Sequence, residues 1–333
     1  MSNQPTKQLR AVLTQTVRRT RNGTALLKLP MLPVVAVAFV VFSLSLDGFA
    51  SAANLDNMAR LFAPLAIAAI GLTFVFLLGE IDLSIGSVLS LASVLGAFVM
   101  RDTGSVWIGA VVMVAVGALV GAFNGAVVAW LRFSPFVHTL GVLVIGRAIA
   151  MLITGGHSVG RLPPAALRFG RGNIAGVTTL LWLSVAVCIV AHVILLYTVT
   201  GREFFLVGAN RRAAVFAGLH VQRTRFLAFL ISGTLAGLAG LCVVLRLGSA
   251  GPTLGDNLLL MAIAAVVFGG TNVFGGEGGV FHTISGALAV VMLDKGLNLL
   301  GLAFYDQAVV MGLVIVFGSA LGGYLYRRRT GPG

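Results

Sequence analysis

The chain has 333 residues, of which 58% are hydrophobic and 10% charged, and its mean hydropathy is +1.01. A soluble domain keeps about a quarter of its residues charged, so these values exclude one. The net charge of +13 does not argue for nucleic acid, because the basic residues lie in tails and short polar segments rather than along one stripe.

The first 30 residues form a basic tail with Lys7, Arg10, Arg18, Arg19, Arg21 and Lys28. An apolar run follows, and Ala50-Ser51-Ala52 mimics a signal-peptide cleavage site. The length of the basic region argues instead for an uncleaved first helix with a cytoplasmic tail. Ten apolar runs follow one another, at roughly 31–49, 60–78, 84–100, 106–130, 135–154, 177–199, 225–246, 257–272, 279–298 and 303–325. Their lengths predict an all-α polytopic membrane protein with about ten transmembrane helices in one unit, 31–326. An even count places both termini on one side. The N-terminal tail and Arg327-Arg328-Arg329, in the C-terminal tail 327–333, put that side in the cytoplasm.

Two glycine-containing joints interrupt the apolar pattern. Gly79-Glu80-Ile81-Asp82-Leu83-Ser84-Ile85-Gly86 joins the second and third runs, and residues 269–279, with six glycines, join the eighth and ninth. Broken backbone at membrane depth marks transporter pathways, whereas a short turn at the cytoplasmic surface needs no function. Glu80 and Asp82, two residues apart, do not share a helical face. Asp82 reads as a cap for the helix that follows, with Ser84 near its first turn. Asn124 lies inside the fourth run and Thr139 near the start of the fifth. Neutral hydrogen-bonding groups of this kind suit a polyhydroxylated solute or simply satisfy a neighbouring helix. Glu80, Asp82, Ser84, Asn124 and Thr139 are therefore the candidate pathway residues, with a proton relay through the carboxylates as the rival.

Gly117, Gly121 and Gly125 recur every four residues in the fourth run, and Gly233, Gly237 and Gly240 cluster in the seventh. Such spacing lets helix backbones approach closely. Residues 155–176 fall outside the membrane by the same parity. Arg161, Arg168 and Arg171 there have no acidic neighbour, and read either as plain loop charge or as a docking surface for an acidic extracytoplasmic protein.

Residues 200–225 carry Arg202, Arg211, Arg212, Arg223 and Arg225, too many charges for a bilayer core. The segment is predicted to be a cytoplasmic loop holding one short helix, Asn210 to Leu219, with Asn210 as N-cap and Gly218 at its end. Such a helix is placed to receive a push from a soluble partner. Cys188 and Cys242 sit in apolar runs and read as small buried side chains. There is no phosphate-binding loop, metal cluster or catalytic nucleophile–base pair, so the chain by itself does not read as an enzyme.

Several motifs resemble one family in the same order. Gly79-Glu80-Ile81-Asp82-Leu83-Ser84-Ile85-Gly86 is similar to the Gly-Gly-Ile-Asp-Leu-Ser-Val-Gly signature of ribose/xylose/arabinose-type permeases of ATP-binding-cassette importers, in the branched-chain amino acid/monosaccharide permease superfamily. Phe123-Asn124-Gly125 with Ser134 to Gly141, Gly201-Arg202 with Val207 to Leu219, and Ile263 to Thr271 resemble further stretches of that family. The resemblance runs from about residue 54 to 325. It implies a permease subunit that dimerises, binds two cytoplasmic ATPases and receives a sugar from an extracytoplasmic binding protein, in the inner membrane of a bacterium. ATP and Mg2+ would belong to the partner ATPase, with no cofactor in this chain. By position, Gly208, Asn210, Ala213, Ala214 and Gly218 would belong to the segment that couples to the ATPase. Glu80 and Ala209 each replace a glycine of the usual pattern, which leaves the cargo open: an amino acid or nucleoside importer and a proton-coupled carrier are the alternatives.

Overall fold

The computed structural model describes residues 32–303 and isolated positions between 306 and 316. The N-terminal tail 1–30, the C-terminal tail 327–333 and nearly all of the run 303–325 lie outside the described residues. In chain order the helices are α1 Leu32–Ser45, α2 Ala52–Phe76, α3 Ile85–Thr103, α4 Val106–Ala129, α5 Pro135–Thr154 and α6 Pro164–Arg171. A two-residue antiparallel pair follows, β1 Asn173–Ile174 with β2 Val177–Thr178. Then come α7 Thr179–Tyr197, α8 Val199–Ala209, α9 Arg211–Phe216, α10 Val221–Leu247, α11 Leu254–Phe268 and α12 Val280–Leu299. Seven of these, α2, α3, α4, α5, α7, α10 and α12, are long and apolar enough to cross a membrane, whereas α1 and α11 are shorter.

The helix α2 is the centre of the bundle. Its residues from Phe62 to Phe76 are buried without a polar face, because α7, α10, α11 and α12 all pack on it. Ser51 starts it by accepting from the Asn54 N–H at 3.3 Å. A helix that is apolar all round is a core element or a membrane span. By contrast α4, α5 and α7 bury one stripe and expose Trp107, Leu119, Val137, Ile145, Leu152, Ile189 and Val190, a surface suited to lipid or a second apolar chain.

The seam between α4 and α10 is made of glycines. A Cβ on Gly233 would meet the Gly117 carbonyl oxygen and the Gly121 Cα, and one on Gly237 would meet the Met113 carbonyl. Gly125 similarly abuts Phe226. The two backbones are in direct contact, as the four-residue spacing predicts.

The bundle has two distinguishable ends. At one, α6 lies against the end of α10, with Gly170 on the Leu245 carbonyl, and Val159 pairs with Ala250. Arg60 of α2 clamps this end: it pairs with Asp56 at 2.7 Å and donates to the carbonyls of Gly170 at 2.6 Å and Arg171 at 3.1 Å, satisfying the free C-terminal carbonyls of α6. At the other end lie α8, α9 and both glycine joints.

The segment 200–225 is not one loop. It is two helices, α8 and α9, set between α7 and α10, and α10 already begins at Val221, so Arg223 and Arg225 are helical. The charge argument failed at Arg225 because that side chain, 3% exposed, is neutralised inside the protein rather than by water.

Candidate functional site

The structure brings the two joints together. Gly276 N–H donates to the Leu77 carbonyl at 2.9 Å, and a Cβ on Gly79 would strike the Phe274 carbonyl. Gly208, near the end of α8, fits between them: a side chain there would collide with the Leu77 carbonyl and the Gly276 amide. Gly276 in turn lies on Ala209. Three segments far apart in sequence thus share one backbone-to-backbone contact in which glycine is required. The joint 269–279 closes as a turn, Asn272 N–H donating to Glu277 O at 2.9 Å.

The helix after this contact is capped as the sequence predicts. Asn210 Oδ1 accepts from the Ala213 N–H at 2.9 Å. Gly218 takes φ +77°, and Leu219 N–H returns to the Ala214 carbonyl at 3.0 Å. A left-handed residue closing a helix in this way favours glycine. Ala214 is buried against Val207 and Val221, while Arg211, Arg212, Ala213, Val215 and Phe216 face outward. Phe216 is 91% exposed.

From the first joint the chain re-enters the bundle as a non-helical stretch, residues 80–83. Glu80 is separated there from the other candidate pathway residues. Its Oε1 accepts from Arg225 Nε, Arg211 stands 3.9 Å away, and Arg225 Nη1 also donates to the Val128 carbonyl at 2.7 Å. Burial raises the Glu80 carboxyl above its ordinary pKa, and the Arg225 and Arg211 guanidiniums oppose that shift. Glu80 therefore ties the joint to α9, α4 and α10.

Asp82, Ser84, Asn124 and Thr139 do meet. Asp82 Oδ1 accepts from the Ser84 N–H at 2.9 Å and Ser84 Oγ at 2.6 Å, and its Oδ2 accepts from Ser232 of α10 at 2.7 Å. Asn124 Nδ2 donates to Ser84 Oγ at 2.7 Å, and Asn124 Oδ1 lies 3.0 Å from His138 Nε2. Thr139 Oγ1 accepts from the Leu83 N–H at 3.1 Å and donates to the Pro135 carbonyl at 2.8 Å. Asp82 is thus not the expected cap of α3. Ser84 holds that position without a side-chain cap bond, and Asp82 spends its second oxygen on α10. The network joins α3, α4, α5 and α10 through a chain of polar groups in which Asp82, Ser84, Asn124, Thr139 and Ser232 are buried and His138 is partly exposed, and it fixes their mutual positions. Ser232 is a member that sequence reasoning passes over and His138 one that it leaves at a helix end, while Arg225, read from sequence as loop charge, belongs to the separate pair with Glu80.

Arg161, Arg168 and Arg171 are all exposed at the α6 end, opposite α8 and α9. In α6, Ala166 and Gly170 turn inward, leaving Arg168 and Arg171 on the outer side with Phe169, 40% exposed. Cys188 and Cys242 are unpaired thiols, Cys242 fully buried.

Residues 54–318 match the family model described as the permease component of the branched-chain amino acid transport system. The ribose import permease protein RbsC of Escherichia coli K12 is 36% identical over 309 residues, 91% of this chain and 96% of the relative. RbsC of Haemophilus influenzae is 36% identical over 293 residues, covering 87% and 91%. The L-arabinose transport system permease protein AraH of Escherichia coli K12 is 32% identical over 286 residues, covering 86% and 87%. No solved structure matches the chain. With one family model over most of the chain and relatives of nearly equal length, the chain belongs to the family of membrane permease components of the branched-chain amino acid transport system.

Proposed function

We propose that this chain is the transmembrane subunit of an ATP-binding-cassette importer that moves a monosaccharide or a similar small polar solute by alternating access. The observation that carries the mechanism is Gly208 wedged between the Leu77 and Gly276 backbones. A force on α9 displaces α8, and α8 cannot move without the joint that leads into Asp82 and Ser84. The pair Glu80–Arg225 makes the same connection to α4 and α10. ATP binding and hydrolysis take place on a separate cytoplasmic ATPase, which holds ATP and Mg2+. The exposed Phe216 and Val215 of α9 offer it an apolar anchor of the kind that dominates protein contacts. Two copies of the chain enclose the path, and a sugar-binding protein docks on Arg161, Arg168 and Arg171. In this reading ten helices cross the inner membrane of a bacterium, with both termini and α9 in the cytoplasm. The ribose and arabinose permeases among the relatives support a sugar as cargo.

Affinity purification of the chain from its native membrane tests this reading. An ATPase and a soluble binding protein are expected in the same complex. A chain that purifies alone and moves solute on a proton gradient would overturn it.

Gly218→Val is expected to weaken ATPase association while leaving membrane insertion unchanged. A Cβ at Gly218 meets nothing within 4 Å, so the effect is backbone strain alone, about 1–2 kcal/mol. Gly218→Asn, which tolerates the left-handed region, should retain association. Equal co-purification of the ATPase with the valine variant would remove the role of this helix end.

Reversing Arg161, Arg168 and Arg171 to Glu is expected to weaken binding-protein docking, most at low salt, because surface charge is screened over about 8–10 Å at ordinary ionic strength. Docking that is unaltered and independent of salt would return these residues to plain loop charge.

A further inference from the structure

Arg147 and Asp256 form an ion pair where a membrane protein is expected to have none exposed. Arg147 Nη2 lies 3.1 Å from Asp256 Oδ2, and the two side chains are 50% and 33% exposed. Arg147 is in the body of α5, about 18 Å along the helix from Pro135 and about 10 Å from Thr154. Asp256 is in the first turn of α11. With 15 residues, α11 is about 22 Å long, short of the roughly 30 Å of a bilayer core.

The neighbours of α11 place its start within the bundle, against the start of α3. Gly255 lies on the Gly86 backbone, and its N–H donates to Ser90 Oγ at 2.9 Å. Gly86 and Ser90 belong to the beginning of α3, which continues about 25 Å further to Thr103. Gly86 and Gly255 allow this contact because a Cβ on either would strike the other's carbonyl. Gly146 of α5 packs on Ser87 beside them. Two helix starts therefore meet inside the bundle, and Arg147 and Asp256 reach across them.

A charged pair exposed at this depth does not face lipid, where each charge is costly. Nor is it the polar network described above, whose central members Asp82, Ser84, Asn124 and Ser232 are enclosed. Asn257 and Thr253, both exposed, extend the same polar surface on α11. An Arg–Asp pair is neutral as a unit but leaves guanidinium donors and carboxylate lone pairs unused, the set a neutral polyhydroxylated molecule can satisfy.

We propose that Arg147 and Asp256, with Asn257 beside them, form a contact point on the water-filled solute path, where an uncharged polyhydroxylated solute exchanges hydrogen bonds during passage. This rests on the permease reading above.

The test uses the full complex of permease, ATPase and binding protein in liposomes. The Arg147→Met/Asp256→Leu double variant removes both charges together, so that neither is left without its partner. With radiolabelled ribose and arabinose as probes, uptake is expected to fall by about tenfold or more, the loss that follows removal of charged hydrogen-bond partners. ATP hydrolysis stimulated by the binding protein should persist. In a Cys188→Ala, Cys242→Ala background, Asn257→Cys is expected to react with a membrane-impermeant thiol reagent. Unchanged uptake by the double variant, or protection of Asn257→Cys with and without ATP, would overturn the proposal. So would loss of the permease dimer in the double variant, which would make this face a contact between copies. Failure of an ATPase to bind the unsubstituted chain strikes the permease reading instead, and is seen before any variant is made.

Discussion

Arg225→Met is expected to destabilise the folded chain by about 3–5 kcal/mol, the usual result of stripping one partner from a buried ion pair. Arg225 is 3% exposed, and the substitution leaves Glu80 enclosed without its guanidinium and the Val128 carbonyl without its donor. Glu80 Oε2 already lacks a partner among the described residues, so the carboxylate has little else to turn to. Arg211, at 3.9 Å and half-exposed, is a weak replacement. The thermal midpoint and the monodisperse yield in detergent should both drop. The Glu80→Gln/Arg225→Met double variant is expected to recover much of the loss, because neither charge of the pair is left stranded. Equal losses in the single and double variants would show that the methionine, rather than the stranded carboxylate, causes the damage. Because the pair joins the first glycine joint to α4 and α10, the double variant should also couple ATP hydrolysis to uptake less tightly.

Gly233→Leu is expected to separate α4 from α10 and remove most of the folded chain from the membrane. Overpacking a core with a side chain that its neighbours can accommodate costs about 1–3 kcal/mol. Here the obstruction is the backbone of Gly117 and Gly121, which no rotamer change relieves, so the cost should lie at or beyond the top of that range. Gly141→Ala is the matched control. Gly141 lies on an exposed face of α5 with nothing within 4 Å, so alanine there should be neutral or slightly stabilising through helix propensity. Comparable yields of the Gly233→Leu and Gly141→Ala proteins would contradict the close seam.

Much of the site was legible in local chemistry. Asn210 and Gly218 bracket α9 because an N-cap needs a short acceptor side chain and a left-handed closure favours glycine. The α4–α10 seam followed from glycines four residues apart, although the pattern does not say which helix answers it. The spans α4 and α5 match their apolar runs closely, since backbone groups in hydrocarbon can be satisfied only within a helix. Two arginines carry a legible signal that the loop reading of Arg225 misses and that Arg147 gives on its own. Arg225 begins a stripe with Phe229 and Ser232, three and four residues apart, all of it buried, and that period marks an inward face. Arg147 is a lone charge inside an apolar run, which by itself marks function.

The sequence by itself determined that this is a helical membrane protein, the bounds of α4 and α5, and the cap and closing glycine of its short helix α9. Those properties follow from hydropathy and from bonds between residues a few positions apart. Tertiary structure alone decided that Gly79, Gly208 and Gly276 share one contact, that Glu80 leaves the other candidates to pair with Arg225, and that Asp82 turns to Ser232 instead of capping α3. It also set the start of α11 against α3, bringing Asp256 to Arg147. Each of these depends on which backbones approach closely enough to exclude a side chain, or on which buried charge finds a countercharge over a hundred residues away, and neither is encoded in any local pattern.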